Sequence, residues 1–84
     1  MSPDYRIVAR TPAIEDYRRL RAISGLTPRS VEAATVGLPN TVFAVVIEDQ
    51  AGRAVGMGRV IGDGGLFFQI VDIAVDPAHQ GQGL

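Results

Sequence analysis

The stretch Ile70-Val71-Asp72-Ile73-Ala74-Val75-Asp76-Pro77-Ala78-His79-Gln80-Gly81-Gln82-Gly83-Leu84, the last of the 84 residues, decides the fold. It begins as an apolar run of the kind a covered strand shows, with Asp72 the one carboxylate inside it. Asp76-Pro77 stops that strand. The loop that follows carries two alternating glycines, Gly81 and Gly83. Such a loop can turn backbone N–H groups inward, and a helix beginning after it would add its positive end, so an anion is attracted there. Glycine suits the role because a Cβ would block close approach of a phosphate. By spacing alone the same residues also fit a plain glycine turn. They do not make the dinucleotide fingerprint, which needs a third glycine, and the lysine of a P-loop is missing.

Upstream of that stretch the chain reads as a β-meander. Thr41 to Glu48 is rich in Val, Ile and Phe and runs into the turn cluster Asp49-Gln50-Ala51-Gly52. Ala54 to Ile61 is the next predicted strand, broken by Gly56 and Gly58, which mark a bulge or the close approach of another backbone. Met57, between them, reads as a packing residue. Gly62-Asp63-Gly64-Gly65 is a strong turn signal with Asp63 as a turn residue, and Leu66 to Val75 is the third strand.

Further back the pattern is helical. Tyr5 to Ala9 reads as a short strand, and Thr11-Pro12 then supplies a cap and a first helical residue. Glu15 and Asp16 fall in the first turn, where the macrodipole favours carboxylates. Ile14, Tyr17, Leu20 and Ile23 recur at helical spacing and make Tyr17 a core residue, with Gly25 as the stop. Arg18, Arg19 and Arg21 are assigned to the wet side, in preference to an anion patch. Thr27-Pro28 repeats the start signal, Arg29 to Val36 suits a second helix, and Gly37-Leu38-Pro39-Asn40 ends it. The two helices form either a lid or binding wall, or ordinary cover for a sheet. The order β-α-α-β-β-β predicts an α+β fold.

Composition narrows the classes. A chain of 84 residues with 46% hydrophobic content and 20% charged residues suits one small folded domain, buried too little to be more than marginal alone. There is no Cys to cross-link it, and the lone His79 builds no metal site, so no metal is expected. A net charge of −1 argues against nucleic acid or an anionic membrane as partner, although all eight basic residues are Arg. No run reaches transmembrane length and Met1-Ser2-Pro3-Asp4 is not built like a signal peptide, so a cytoplasmic location is expected.

The C-terminal stretch resembles the GNAT superfamily of acyl-CoA-dependent N-acetyltransferases. The family's signature is Gln/Arg-x-x-Gly-x-Gly/Ala directly after its fourth strand, and Gln80-Gly81-Gln82-Gly83-Leu84 fits the first five places. The strand ending Ile73-Ala74-Val75-Asp76-Pro77 is similar to that fourth strand, and the upstream element order matches. Gly37 to Asn40, Gly56 to Gly65 and Gln69 to Val75 further resemble a bacterial branch of small, poorly characterised members.

The resemblance implies a division of labour. The co-substrate would be acetyl-CoA and the acceptor a primary amine, on a small molecule or a peptide, attacked directly without an acyl-enzyme. Ile73, Ala74 and Val75 would pair with the pantetheine arm, with the Val75 amide polarising the thioester carbonyl. The amides of Gln80, Gly81, Gln82, Gly83 and Leu84 would hold the pyrophosphate. A lysine-like amine has a pKa of about 10 and arrives protonated, so a base is needed. Asp72 is the candidate, acting through water; otherwise it is a structural hydrogen-bonding group or the partner of Arg59. His79 is expected to face solvent, with contact to a CoA phosphate as the alternative.

The resemblance spans nearly all of this chain but only about the first half of the family's fold. The motif's last small residue would be the next one after Leu84. The family's third helix and fifth strand have no counterpart, nor does the tyrosine that often protonates the departing thiolate. The expectation is a truncated N-acetyltransferase domain over residues 1–84. Two rival expectations stand beside it. One is a non-catalytic interaction module whose open strand edge pairs with a second copy or a complementing second half; the other is a generic nucleotide-phosphate binder.

Overall fold

The computed structural model describes residues 4–81. Its elements are β1 (Arg6–Val8), α1 (Ile14–Ile23), α2 (Val31–Gly37), a 3-10 turn at Leu38–Asn40, β2 (Phe43–Glu48), β3 (Ala54–Gly62), β4 (Phe68–Val75) and a second 3-10 turn at Pro77–His79. The four strands form one antiparallel sheet in the order β1-β2-β3-β4, with both helices on one face. This is the α+β arrangement and element order read from the sequence.

Both helices begin later than their Thr-Pro signals predict. Ala13 is the N-cap of α1, its carbonyl accepting the first helical bond from the Tyr17 N–H at 2.9 Å. Pro12 is instead buried ahead of the helix. In α2 the cap is Ser30, whose Oγ accepts from the Ala33 N–H at 3.1 Å. The sequence offered a proline at each start, but a hydroxyl able to reach an orphan N–H decides the second one. Gly25 does end α1: at φ 87° it lets the Leu26 N–H return to the Arg21 carbonyl at 2.9 Å.

The strand ends shift for similar local reasons. β2 begins at Phe43 and not Thr41, because the Thr41 N–H closes the 3-10 turn on the Leu38 carbonyl. β4 begins at Phe68, because Leu66 and Phe67 belong to the hairpin: Asp63 Oδ1 accepts the N–H groups of Gly65, Leu66 and Phe67. β3 is continuous through Gly56 and Gly58. Gly62, at φ 151°, lies so close to the next strand that a Cβ would be 1.9 Å from the Phe67 carbonyl oxygen.

The core is one-sided. Tyr17 and Leu20 of α1, Ala34 of α2 and Leu38 pack on Val46, Ala54, Met57 and Ala74, so Tyr17 and Met57 are core residues as expected. The opposite face of the sheet leaves Ile7, Phe43, Phe68, Ile70 and Ile73 exposed. Among the described residues no strand pairs with the outer edge of β4.

Candidate functional site

The site is built on an irregularity in β4. Met57 pairs with Ala74 and Arg59 pairs with Val71, so Gly58 alone opposes both Asp72 and Ile73. That is a β-bulge, and its first residue, Asp72, has φ 56°. Asp72 is the one non-glycine residue at positive φ among the described residues. The extra residue breaks the alternation. Asp72 turns toward the helices, while Ile73 lies over Gly58 on the far face.

Four side chains meet at the bulge. Arg59 Nη1 donates to Asp72 Oδ2 at 2.6 Å, Arg21 Nη1 donates to Oδ1, and the Tyr17 hydroxyl donates to Oδ2 at 3.1 Å. Asp72, Arg21 and Arg59 have side chains only 7%, 6% and 8% exposed. Each guanidinium is held from behind. Arg59 also donates to Thr41 Oγ1 and the Gly37 carbonyl, Arg21 to the Thr27 carbonyl, and Arg59 lies over the Tyr17 ring. The Asp72–Arg59 pair anticipated from the sequence is therefore present, within a larger cluster.

Beyond the bulge the strand regains its rhythm. The Asp76 N–H bonds to the Val55 carbonyl at 2.8 Å, so strand alternation turns the Val75 N–H and carbonyl away from β3 and toward the free edge. The Val75 carbonyl accepts there from Gln80 Nε2 at 3.1 Å. Asp76 Oδ1 caps the following turn through the Ala78 N–H, and Gly81 follows at φ 81° with open space where a Cβ would sit. An outward-facing strand amide, followed by a glycine-bearing loop on the same edge, can take an extended ligand with an anionic end.

A family model described as the acetyltransferase (GNAT) family matches residues 8–84. The chain belongs to the GNAT acetyltransferase family. Solved structures similar to it include three acetyltransferases or probable acetyltransferases. A protein of unknown function from meticillin-resistant Staphylococcus aureus, titled a probable acetyltransferase, is 51% identical with a TM-score of 0.86, over 93% of this chain and 58% of that one. A GNAT-family acetyltransferase from Streptococcus pneumoniae is 26% identical with a TM-score of 0.77, over 95% of this chain and 58% of its own. A spermidine N-acetyltransferase chimera from Vibrio cholerae and hSSAT shares the fold alone, at 19% identity and a TM-score of 0.59, over 92% and 54%. The chain thus spans 58% of the length of the first two. No curated protein matches it.

Within this GNAT chain, Ile73, Ala74, Val75, Gln80 and Gly81 lie along one edge and the loop that continues it, whereas Gln82, Gly83 and Leu84 lie outside the described residues. Ala74 is buried against the helices, leaving Ile73 and Val75 nearer the surface. His79 does not simply face solvent. It is half-buried, with Nδ1 2.8 Å from the Tyr5 hydroxyl and the two rings edge to face at 5.6 Å, a contact that ties the loop to the start of β1.

The arginines of α1 also depart from the expected solvated face. Arg21 is buried at Asp72, and Arg19 donates to the Ala54 carbonyl and lies 3.9 Å from Asp76, with its Nη1 buried and unbonded. Only Arg18 keeps to the exposed side, bonding to the Arg29 carbonyl. Position could have revealed Arg21: it stands four residues after Tyr17 and seven after Ile14, on the apolar stripe. Among the described residues no cluster of three His, Cys, Asp or Glu could hold a metal ion, and no helix is long and apolar enough to cross a membrane.

Proposed function

We propose that this chain carries the acetyl-CoA-binding edge of an N-acetyltransferase that moves an acetyl group to a primary amine. The observation that supports it best is the outward turn of the Val75 N–H on an open strand edge leading into the Asp76 to Gly81 loop. In this reading the pantetheine arm lies along Ile73, Ala74 and Val75. The Val75 N–H donates to the thioester oxygen, where negative charge grows as the amine attacks. The C–N bond forms, the C–S bond breaks, the amine gives up a proton and the departing thiolate gains one. The loop amides from Gln80 through Gly81, Gln82, Gly83 and Leu84 take the pyrophosphate. Acceptor binding falls to the helical side of the chain.

Calorimetric titration of the 84-residue chain with acetyl-CoA and with ATP tests this. Heat with acetyl-CoA and none with ATP is expected. Equal binding of both favours a general phosphate-binding loop, and silence with both removes the ligand reading for this chain.

A second reading is favoured by the open outer edge of β4 with Phe68, Ile70 and Ile73 exposed along it, a template for strand pairing. Here the chain acts as an interaction module, pairing with a second copy or a complementing half. Size-exclusion chromatography at high concentration separates the two: a clean monomer counts against this second reading.

A further inference from the structure

Building on the acyl-transfer reading, we infer that Asp72 is a positioning residue. Clamped by Arg21, Arg59 and Tyr17, it holds the β4 bulge in the shape that aims the Val75 N–H at the thioester oxygen.

Backbone geometry ties the amide to the bulge. The side-chain and amide directions of a strand repeat every two residues, so one inserted residue exchanges the two sides for everything after it. With the bulge at Asp72-Ile73, the Val75 N–H faces the open edge; without it, the same N–H would face β3. The presentation of this amide thus depends on the bulge.

The residue at the bulge is an unusual choice. A left-handed first position there is ordinarily filled by glycine, which adopts it without steric cost. This chain places an aspartate at φ 56°. Backbone conformation alone does not call for a carboxylate. The clamp does, because it joins the bulge to α1 through Arg21 and Tyr17 and to β3 through Arg59. Arg21 and Arg59 are in turn fixed to the Thr27 and Gly37 carbonyls and to Thr41 Oγ1.

A catalytic role for the same carboxylate fits less well. To serve as the base for the amine, Asp72 would have to abandon donors that engage both of its oxygens. A buried carboxylate held by two guanidiniums is built to stay in place.

The test compares acetyl-CoA with CoA, which differ only in the acyl group that the Val75 amide would meet. Calorimetry on the 84-residue chain is expected to show acetyl-CoA bound roughly fivefold more tightly than CoA, the worth of one net hydrogen bond. Asp72→Asn tolerates the left-handed backbone but weakens the clamp, and Arg59→Lys keeps the charge while losing the fork. In both variants CoA affinity should hold within about twofold while the preference for acetyl-CoA disappears. The Ile73 to Val75 amide signals should move in the NMR spectrum, and those of β1, which pairs only with β2, should not. A purely structural role would lower both affinities together. Variants that retain the preference overturn the positioning role and leave the acyl-CoA reading intact. Wild-type chain that binds neither compound overturns both.

Discussion

Gly58 and Ile73 fit across the β3–β4 ladder only because one of them lacks a side chain: a Cβ on Gly58 would lie 2.8 Å from Ile73 Cδ1. The obstructing atom is the tip of a flexible chain on a residue that is 61% exposed. Gly58→Ala should therefore change stability by less than about 1 kcal/mol, as Ile73 swings outward. Urea denaturation checks this, and a larger loss would show that Ile73 is fixed.

Gly62 makes the opposite case. There the obstruction is backbone, since a Cβ would fall on the Phe67 carbonyl oxygen, and φ is 151°. Gly62→Ala should destabilise by about 2–3 kcal/mol, because neither strand can yield without losing hairpin pairing. The same urea experiment should rank it well below Gly58→Ala.

Charge counting at the clamp predicts an asymmetry. Asp72→Ala would leave Arg21 and Arg59 buried together without a counter-charge, at a cost of about 3–5 kcal/mol. Arg59→Met leaves the Arg21–Asp72 pair and the Tyr17 hydroxyl bond in place, so the loss should be nearer 1–3 kcal/mol. Thermal melts of the two variants at neutral pH should separate clearly, with Asp72→Ala lower.

Acid should weaken the fold through two carboxylates, Glu48 and Asp63. Hydrogen bonds from Arg6 and then Arg10 hold the Glu48 carboxyl below its ordinary range. The Gly65, Phe67 and Leu66 amides do the same for Asp63. A carboxylate whose pKa is lower in the folded state stabilises above its unfolded pKa and loses that contribution as pH falls through the folded value. The melting temperature should hold near neutrality and fall progressively below about pH 4.5. Asp63→Asn should flatten part of that fall, and an unchanged profile would remove Asp63 from the account.

Removing the cap of α2 is a local test. Ser30→Ala leaves the Ala33 N–H without its partner and should cost about 1 kcal/mol, read from the denaturation midpoint.

The sheet was legible because its turns are chemically loud. Asp49 to Gly52 and Gly62 to Gly65 mark both hairpins, and the apolar runs between them have few other uses. The helix starts were less legible, since Pro12 and Pro28 look like first-turn residues yet sit ahead of the caps Ala13 and Ser30. The site was half visible. The loop and the end of β4 follow from the glycines and Asp76-Pro77, and Asp72 with Arg59 was a readable pair. Arg21 was hidden by its own charge, which suggested water where its spacing on α1 pointed inward. The bulge falls opposite Gly58, one of the two glycines that marked β3 for a bulge or a close approach, but within β4 it had no signal, because an aspartate rather than a glycine occupies its left-handed position.

In this sheet spatial order is chain order, each strand lying beside the one that follows it. Closing β2 on β3 and then β3 on β4 requires only short hairpin loops, whereas joining β1 to β2 must wait for both helices to be looped between them. Loop-closure entropy therefore sets a sequence of events: the meander zips first and β1 is added late. Amide hydrogen exchange should be slowest in the middle of β3, which has partners on both sides, and fastest among the strands in β1. The free edge of β4 would thus take shape early in folding, while the contact from Tyr5 to His79 closes over the following loop only at the end.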